Sequence, residues 1–388
     1  MSTILSVSVA RAPHTRRRIT TSKARSFYLR LKTLENCNEI QLLAALPRGI
    51  SFAMRFVVRY KTLRRALYDY SVPIIIRSRA DKGFSIHLIN QTTLAAPVEA
   101  NGIGLHTAVS VSLRILPAPP DTGYLFLRTD LGGFEIPASI EHVVNCSYAT
   151  TLMRTGVMLS TVEHLLAALR GCGVDNAFIE VDNLELPIMD GSSEVFVEMI
   201  ERAGILEQPR RKRVLMVREK ISIEQGARRI SVEPSENYEI DCMIDFPHPL
   251  IGTQKFSFEL KEGAFGREIA AARTFGFTEE IEALRRADLI RGGSLDNAIV
   301  LTPEGMLNTS GLRWSNEFVR HKILDIVGDL SLLGMPLMGR VTAERSGHLL
   351  HAALMSKVLR KRSSWEIIDM PVKSVVDIAR PVLVSKFA

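Results

Sequence analysis

Hydrophobic and polar residues alternate between Thr92 and Ala118. A period of two residues is typical of a β-strand with one buried face. The segment holds two alternating runs, and Gly102 and Gly104 lie between them. It therefore predicts a β-hairpin with its turn at Gly102–Gly104.

A helical pattern follows at Ser160–Leu169, where Ser160 and Glu163 have the spacing of a capping box before an apolar run. Gly171 is placed to end this helix. A strand and a second helix complete the first half, and Gly204 would cap the second helix. These two elements are predicted at 177–181 and at Ser193–Ala203.

Polar residues 207–213 (EQPRRKR) predict a domain boundary, because strands followed by helices begin again beyond them. Strands are predicted within 214–234, 238–246 and 341–343, and helices at Gly276–Arg286, Phe318–Leu333 and Leu349–Leu359. We therefore expect an α+β fold of two similar domains, each a β-sheet layered against helices. Domain I would span residues 88–206 and domain II residues 214–375, and an internal duplication is a hypothesis.

Length and composition agree with this architecture. The 388 residues are 46% hydrophobic and 23% charged, as in a globular protein. Four cysteines without a CxxC pair argue against a disulfide framework and a cysteine zinc site, and fit a reducing compartment. Since no apolar run approaches the ~20 residues that cross a bilayer, we expect a cytoplasmic protein without stable membrane insertion.

Positive charge is concentrated at the N-terminus. Residues 1–82 hold 17 Lys and Arg against 4 Asp and Glu, whereas the rest of the chain is net acidic. A nucleic-acid-binding protein would carry its basic residues across a folded face, so we expect no nucleic-acid partner. Residues 1–84 are interpreted as a basic extension that is disordered, untranslated or an organelle-targeting peptide.

Candidate chemistry begins with His321 and Asp325, four residues apart on one face of a predicted helix and about 5–6 Å apart at Cβ. Imidazole and carboxylate groups suit Zn²⁺, and one further ligand would leave an open position for water. A solvated ion pair is the alternative. Glu163 and His164 are a second polar pair, either a helix cap and a core histidine or a general base beside a ligand.

His348 is a third candidate, because it follows a strand and the turn residue Gly347. Asp329 lies one helical turn beyond Asp325 and could pair with this histidine. Such a partner would raise the pKa of the imidazole. An exposed turn histidine is the alternative interpretation.

Nine motifs between Leu94 and Leu359 connect these residues: GIGLHTA at 102–108, STVEHLLAAL at 160–169, GVDNAFIEV at 173–181, PIMDGSSEVFV at 187–197, IDFPHPLIG at 244–252, ARTFGF at 272–277, GGSLDNAIV at 292–300, FVRHKILDIVGDL at 318–330 and SGH at 346–348. In this order they closely resemble the UDP-3-O-acyl-N-acetylglucosamine deacetylases. That family consists of zinc amidases of lipid A synthesis. The resemblance implies an active site between the two domains.

The resemblance also implies individual roles. Zn²⁺ would be bound by His164, His321 and Asp325, and Glu163 would be the general base. Thr274 would hydrogen-bond the tetrahedral intermediate. The groups that would handle the oxyanion, the leaving amine and the diphosphate are Lys322 and His348, with Asp329 orienting the histidine.

Substrate contacts follow from the same resemblance. Those to uridine diphosphate would be Asp245, Phe246 and Arg345, although family members often have Lys at the last position. An insert at about 276–295 would form an acyl-chain passage. Its apolar lining would be Phe275, Phe277, Ile281, Ile290 and Leu295.

The implied reaction hydrolyses the N-acetyl group of UDP-3-O-(3-hydroxyacyl)-N-acetylglucosamine. The partners would be this UDP-linked acylated amino sugar and water, and we expect a monomer without the dehydratase domain that some relatives carry. Two alternatives are a zinc amidase for another acylated nucleotide sugar and a basic binding module with a structural zinc. Glu163 argues against the latter, since a structural site has four protein ligands and no use for a base.

Overall fold

The computed structural model describes residues 90–370, together with the backbone of five short strands in the leader. The chain divides into two units, Met1–Arg79 and Ala80–Ala388. In the first unit β1 to β4 pair antiparallel in chain order. The leader strands β1 to β5 are Ile4–Ser6, Tyr28–Thr33, Glu39–Ala45, Arg55–Arg59 and Ile75–Ile76. The interpretation of residues 1–84 otherwise lies outside the described residues and stays a prediction.

The first half of the second unit contains ten strands within the described range. In chain order, β6 to β15 are Asn90–Leu94, Val98–Ile103, Ser110–Pro117, Tyr124–Arg128, Phe134–Pro137, Val143–Asn145, Thr151–Arg154, Val157–Leu159, Ala177–Val181 and Ile205–Arg211. Five of them form one sheet in the order β10, β9, β14, β8, β7. The predicted hairpin is confirmed as β7 and β8, but Gly102 pairs with Val111, so the connecting loop is Gly104–Val109.

Two helices pack in this half: α1 at Glu163–Gly171 and α2 at Glu194–Ala203. Both predicted helices are therefore confirmed, and Gly204 ends α2 with φ 73°. The predicted capping box at Ser160 is wrong. The backbone of Ser160 bonds to Leu184 and Leu186, and its hydroxyl contacts Thr151, so α1 begins only at Glu163.

The second half holds ten further strands within the described range. In chain order, β16 to β25 are Arg213–Val217, Ile221–Gln225, Arg228–Glu233, Tyr238–Phe246, Gly252–Glu259, Phe275–Phe277, Ile299–Thr302, Gly305–Met306, Leu337–Glu344 and Trp365–Asp369. The long strand β24 pairs with β18 antiparallel and with β19 parallel. The polar segment 207–213 is strand on both sides of Lys212: β15 pairs with β6, and β16 pairs with β24 and β25. The division into two domains stays a prediction, and residues 371–375 lie outside the described range.

Four helices follow in this half of the described chain, α3 to α6: Ala264–Glu268, Thr278–Arg286, Glu317–Leu330 and His348–Arg360. Short 3-10 helices lie at Thr129–Leu131, Ile140–His142, Ser331–Leu333 and Arg362–Ser364. The helix predicted from Gly276 starts two residues later, because Gly276 and Phe277 belong to β21, which pairs with β22. The helices predicted at 318–333 and 349–359 are confirmed.

The core is continuous between α1, α5 and the sheets. Leu165, Leu166 and Leu169 of α1 and Ile323 and Val327 of α5 are fully buried. Helices and sheets in contact confirm the α+β class. Within residues 90–370, every helix is too short or too polar to pass through a bilayer.

Candidate metal and catalytic site

The start of α1, the middle of α5 and the start of α6 meet at one place. Glu163 and His164 open α1, His321 and Asp325 share one face of α5, and His348 is the first residue of α6. These side chains are buried, except that His348 is partly exposed. Burying so many polar groups is costly unless they satisfy one another or a bound ligand.

A candidate metal site is formed by His164, His321 and Asp325, whose ligand atoms all lie within 4.8 Å of one another. Nε2 of His321 is 3.5 Å from Oδ1 of Asp325, and Nε2 of His164 is 4.0 Å from the same oxygen. The two imidazole rings meet edge to face, with centroids 5.2 Å apart. The structure thus brings together the three residues that the sequence predicts as ligands.

Both imidazoles favour the neutral form. Burial, together with the nearby His321, lowers the pKa of His164 to about 3, and burial also lowers the pKa of His321. Nδ1 of His321 donates to the carbonyl oxygen of Ala272 at 3.0 Å, which leaves the lone pair of Nε2 directed at the cluster. Neutral imidazole with its second nitrogen hydrogen-bonded is the usual form of a metal ligand.

Asp325 is ionised. Burial alone would raise its pKa, but the charge of Lys322 and the neighbouring histidines hold the pKa of Asp325 well below its usual range. Lys322 donates from Nζ to Oδ2 at 2.9 Å, while Oδ1 faces the histidines. Two neutral imidazoles and one carboxylate oxygen that point at one place fit a divalent metal ion with one further position free.

Glu163 lies beside this cluster. The backbone N–H of Thr150 donates to its Oε2 at 3.1 Å, and its Oε1 is 3.9 Å from Nε2 of His348. Burial raises the pKa of Glu163 to about 7. A carboxylate whose pKa lies near neutrality is suited to take up and return a proton, so Glu163 is a candidate general base.

His348 is paired with Asp329, one turn along α5 from Asp325. Its Nδ1 lies 2.7 Å from Oδ2 of Asp329, and the hydroxyl of Thr150 donates to Oδ1 at 2.6 Å. Burial disfavours the imidazolium, but the charge and hydrogen bond of Asp329 outweigh burial and raise the pKa of His348 to about 10. The predicted pair is present, and it leaves Nε2 as a proton donor beside Glu163.

A cavity of about 480 Å³ opens onto these groups. In addition to Glu163 and the metal cluster, it is lined by four other predicted site residues, Lys322, His348, Thr274 and Phe275. The backbone of Thr274 is fixed on both sides, since its N–H donates to Gly191 and its carbonyl accepts from Ile299, each at 2.8 Å. The volume is that of a small-molecule site.

Asp245 and Arg345 do not line this cavity, and instead form an exposed ion pair with Nη2 2.7 Å from Oδ2. Phe246 packs against both Phe275 and Phe277, with ring centroids 5.7 Å apart in each case. Since Phe275 lines the cavity, this aromatic cluster is continuous with the cavity wall.

Of the five residues predicted to line an acyl passage, Phe275 is the one that lines the cavity. The backbone N–H of Ile290 donates to Nδ1 of His106 at 3.4 Å, and the side chain of Leu295 is 47% exposed. Ile281 lies on α4, a helix without a buried residue. Among the described residues, these three are not part of the cavity lining, so the passage stays a prediction.

Sequence reasoning missed part of the cavity wall and of the hydrogen-bond network around Asp329. Thr150 and His351 both bond to this carboxylate. The missed lining residues include Leu105, Cys146, Tyr148, Arg228 and Leu349. Leu105 lies in the GIGLHTA motif and Leu349 in a predicted helix, but nothing local marks any of the five as cavity lining, because contacts between distant segments bring them to the site.

Comparisons with known proteins identify the family of the chain. A family model described as UDP-3-O-acyl N-acetylglycosamine deacetylase matches residues 91–360. A UDP-3-O-acyl-N-acetylglucosamine deacetylase from Solibacter usitatus (strain Ellin6076) is 49% identical, over 72% of this chain and 94% of its own length. A protein of the same name from Myxococcus xanthus (strain DK1622) is 47% identical, over 72% of this chain and 89% of its own length. Another from Coxiella burnetii (strain CbuK_Q154) is 44% identical, over 72% of this chain and 94% of its own length. The chain therefore belongs to the UDP-3-O-acyl N-acetylglycosamine deacetylase family.

Proposed function

We propose that this chain is a zinc-dependent hydrolase that removes the N-acetyl group of UDP-3-O-(3-hydroxyacyl)-N-acetylglucosamine, the committed step of lipid A biosynthesis. The products are the free amine and acetate. The observation that carries the proposal is the convergence of His164, His321 and Asp325 beside Glu163 in one cavity. Three protein ligands would leave one position of a bound zinc free for water, as in catalytic rather than structural zinc sites.

Zinc bound there would supply Lewis acidity, which lowers the pKa of a water molecule and polarises the amide carbonyl. Glu163 takes a proton from the attacking water as the new C–O bond forms, because its carboxylate lies beside the cluster and its pKa is raised. The C–N bond then breaks, and the amine leaves with a proton. His348 is placed to supply that proton, since its Nε2 lies 3.9 Å from Oε1 of Glu163.

Negative charge develops on the carbonyl oxygen during the attack. Thr274 and Lys322 line the same cavity, and each carries a donor that can stabilise this charge. Asp329 orients His348 by accepting the hydrogen bond from its Nδ1. The surrounding backbone and helices hold each of these groups in place before the reaction begins.

In this proposal the diphosphate of the substrate lies against the part of the cavity wall that contains Arg228 and Lys322. Arg228 and Lys322 contribute positive charge there, and Gly347 and His348 place the N-terminus of α6 at the wall. Free N–H groups and the helix dipole favour an anion at such a position. The proposed uridine diphosphate contacts are Asp245, Phe246 and Arg345, and the proposed acyl contacts are Phe275, Phe277, Ile281, Ile290 and Leu295.

The same proposal includes that the protein is a monomer in the bacterial cytoplasm and that it has no nucleic-acid partner. Its support is the reaction's UDP-linked substrate, the cysteines without a CxxC pair and the acidic balance of the chain beyond residue 82. Size measurement of the purified protein in solution checks the monomer.

The test is acetate release from the UDP-linked acylated sugar by the full chain, before and after removal of metal with a chelator. We expect about one zinc per chain, loss of activity with the chelator and recovery when Zn²⁺ is added back. The matched control is the same sugar already lacking its acetyl group, which should yield no acetate. Full activity of the metal-free protein would refute the zinc part of the proposal. Turnover of another acylated nucleotide sugar in place of this one would refute the proposed identity of the substrate.

A further inference from the structure

One buried histidine near the site has no part in the reaction described above. His351 lies on α6, three residues after His348, and therefore on the same face of the helix. Its side chain is 1% exposed. A polar ring at such depth needs partners for its nitrogens, and the identity of those partners shows what it does.

Both ring nitrogens of His351 bond to side chains of the site region. Nδ1 lies 2.6 Å from Oδ2 of Asp329, the same oxygen that Nδ1 of His348 contacts at 2.7 Å. Distances this short are typical of hydrogen bonds to an ionised carboxylate. The other oxygen of Asp329 accepts from the hydroxyl of Thr150, so three donors hold this carboxylate.

The second ring nitrogen of His351 is bonded to a hydroxyl, which favours the same tautomer. The Oγ of Ser346 lies 3.0 Å from Nε2 of His351. Because Nδ1 must carry a hydrogen to reach the carboxylate, Nε2 of a neutral ring accepts the hydrogen bond that the Ser346 hydroxyl donates. Ser346 precedes α6 by two residues, so this bond also connects the loop before the helix to the helix itself.

We propose that His351 is a positioning residue for the reaction: its Nδ1–H fixes the carboxylate of Asp329 in the orientation that turns Nε2 of His348 toward Glu163 and the cavity. The inference rests on the role of His348 given under the proposed function. A carboxylate held by His348 and Thr150 alone is free to swing about its side-chain torsions. The third donor removes that freedom, and His348 stays in line with the reacting atoms.

The test compares two substitutions of the same residue. The side-chain nitrogen of Asn is bonded to Cγ, as Nδ1 of histidine is, so Asn can place an N–H donor near the same position. Leu has a similar size and no donor. We expect His351→Leu to lower kcat by about 10- to 100-fold, the cost of misplacing a reacting group, with KM little changed. His351→Asn should retain most of the parent kcat.

Ser346→Ala gives a second, independent measurement. In the parent chain it should reduce kcat several-fold, because Nε2 loses the donor that favours this tautomer. In the His351→Asn background it should have no effect, since Asn has no nitrogen that reaches Ser346. Equal effects of Ser346→Ala in both backgrounds would show that Ser346 does not act through His351.

Two controls distinguish the proposed positioning role of His351 from a purely structural one. Leu354→Ala removes a buried apolar side chain one turn from His351 on α6, and it should lower Tm with kcat unchanged. Zinc content should stay the same in the His351 variants. If His351→Leu lowers Tm and zinc content without the kcat change, or if folded His351→Asn is as slow as His351→Leu, positioning by hydrogen bond is refuted.

The role of His348 is tested in the same series. His348→Ala should be slower than His351→Leu. If His348→Ala keeps the parent rate, the proposed function of that histidine fails. If only His348→Ala is slow and His351→Leu matches the parent, the inference about His351 fails by itself.

Discussion

At the scale of single residues, the chemistry depends on where charge is buried. Glu163 is 3% exposed and shares its surroundings with Asp325 and Asp329, so its ionised form is less favoured than that of an exposed carboxylate. Asp325 and Asp329 remain ionised because Lys322 and His348 compensate them. Among these three neighbouring carboxyl groups, the raised pKa of Glu163 makes it the one suited to proton transfer.

Glu163→Gln should therefore retain the metal and lose rate. Glutamine has nearly the same shape and can still accept the hydrogen bond from the backbone of Thr150, but it cannot take a proton. We expect kcat to fall by about 10²–10⁴-fold, the usual contribution of general acid–base catalysis. The measurement is acetate release together with zinc content.

The matched control is Glu198→Gln on the exposed face of α2, which should leave both quantities unchanged. A Glu163→Gln protein with nearly parent kcat would show that another group is the base. Loss of zinc in this variant would instead make Glu163 part of metal binding.

At the scale of secondary-structure elements, the site depends on the contact between α1 and α5. Gly328 lies in α5 where the helices meet, and a Cβ atom built on it would be 2.1 Å from the carbonyl oxygen of Glu163. Backbone cannot yield to such an overlap as a side-chain tip can. The glycine therefore allows the close approach that brings His164 to Asp325.

Gly328→Ala should push the two helices apart. We expect a loss of about 1–3 kcal/mol in the free energy of unfolding, as for other overpacked cores, and a fall in both zinc affinity and kcat, because ligands from both helices separate. Thermal unfolding, zinc titration and acetate release measure these three effects. Gly266→Ala in α3 is the control, since its Cβ would meet only Val197 at 3.7 Å. A Gly328→Ala protein that binds zinc and turns over like the parent would contradict this account of the helix contact.

Periodicity predicts α6 because its buried residues recur at helical spacing along one stripe, and α5 is predicted by its long, largely apolar sequence, which is buried almost all round. Periodicity cannot locate a helix end that is determined by contacts with residues distant in the sequence. Ser160 could have capped α1, but its backbone is held by Leu184 and Leu186. The same limit applies to the site. The pair of His321 and Asp325 is local and can be predicted from the sequence, whereas Thr150 bonds to Asp329 across 179 positions of the chain. His351 is local to His348, yet only the position of Asp329 gives it a role.

At the scale of the whole molecule, the site is assembled from two distant parts of one unit. Glu163 and His164 come from the first half, and His321, Asp325 and His348 come from the second. The proposed mechanism therefore requires both halves in contact within a single folded unit. The family model matches residues 91–360, a range that includes every residue of the proposed site.

Removal of residues 1–84 should consequently leave zinc content, kcat and KM at the values of the full chain. Among the residues that the structure describes, the ligands, the base and the cavity lining all lie between Leu105 and Leu350. Acetate release and zinc content of the truncated and full chains, measured side by side, test this expectation. The control is removal of residues 1–104, which also deletes the strands Asn90–Leu94 and Val98–Ile103. This truncation should abolish folding, because Ser110–Pro117 loses one of its two pairing strands and Ile205–Arg211 loses Asn90–Leu94. A chain without residues 1–84 that is insoluble or inactive would show that the leader is part of the catalytic unit.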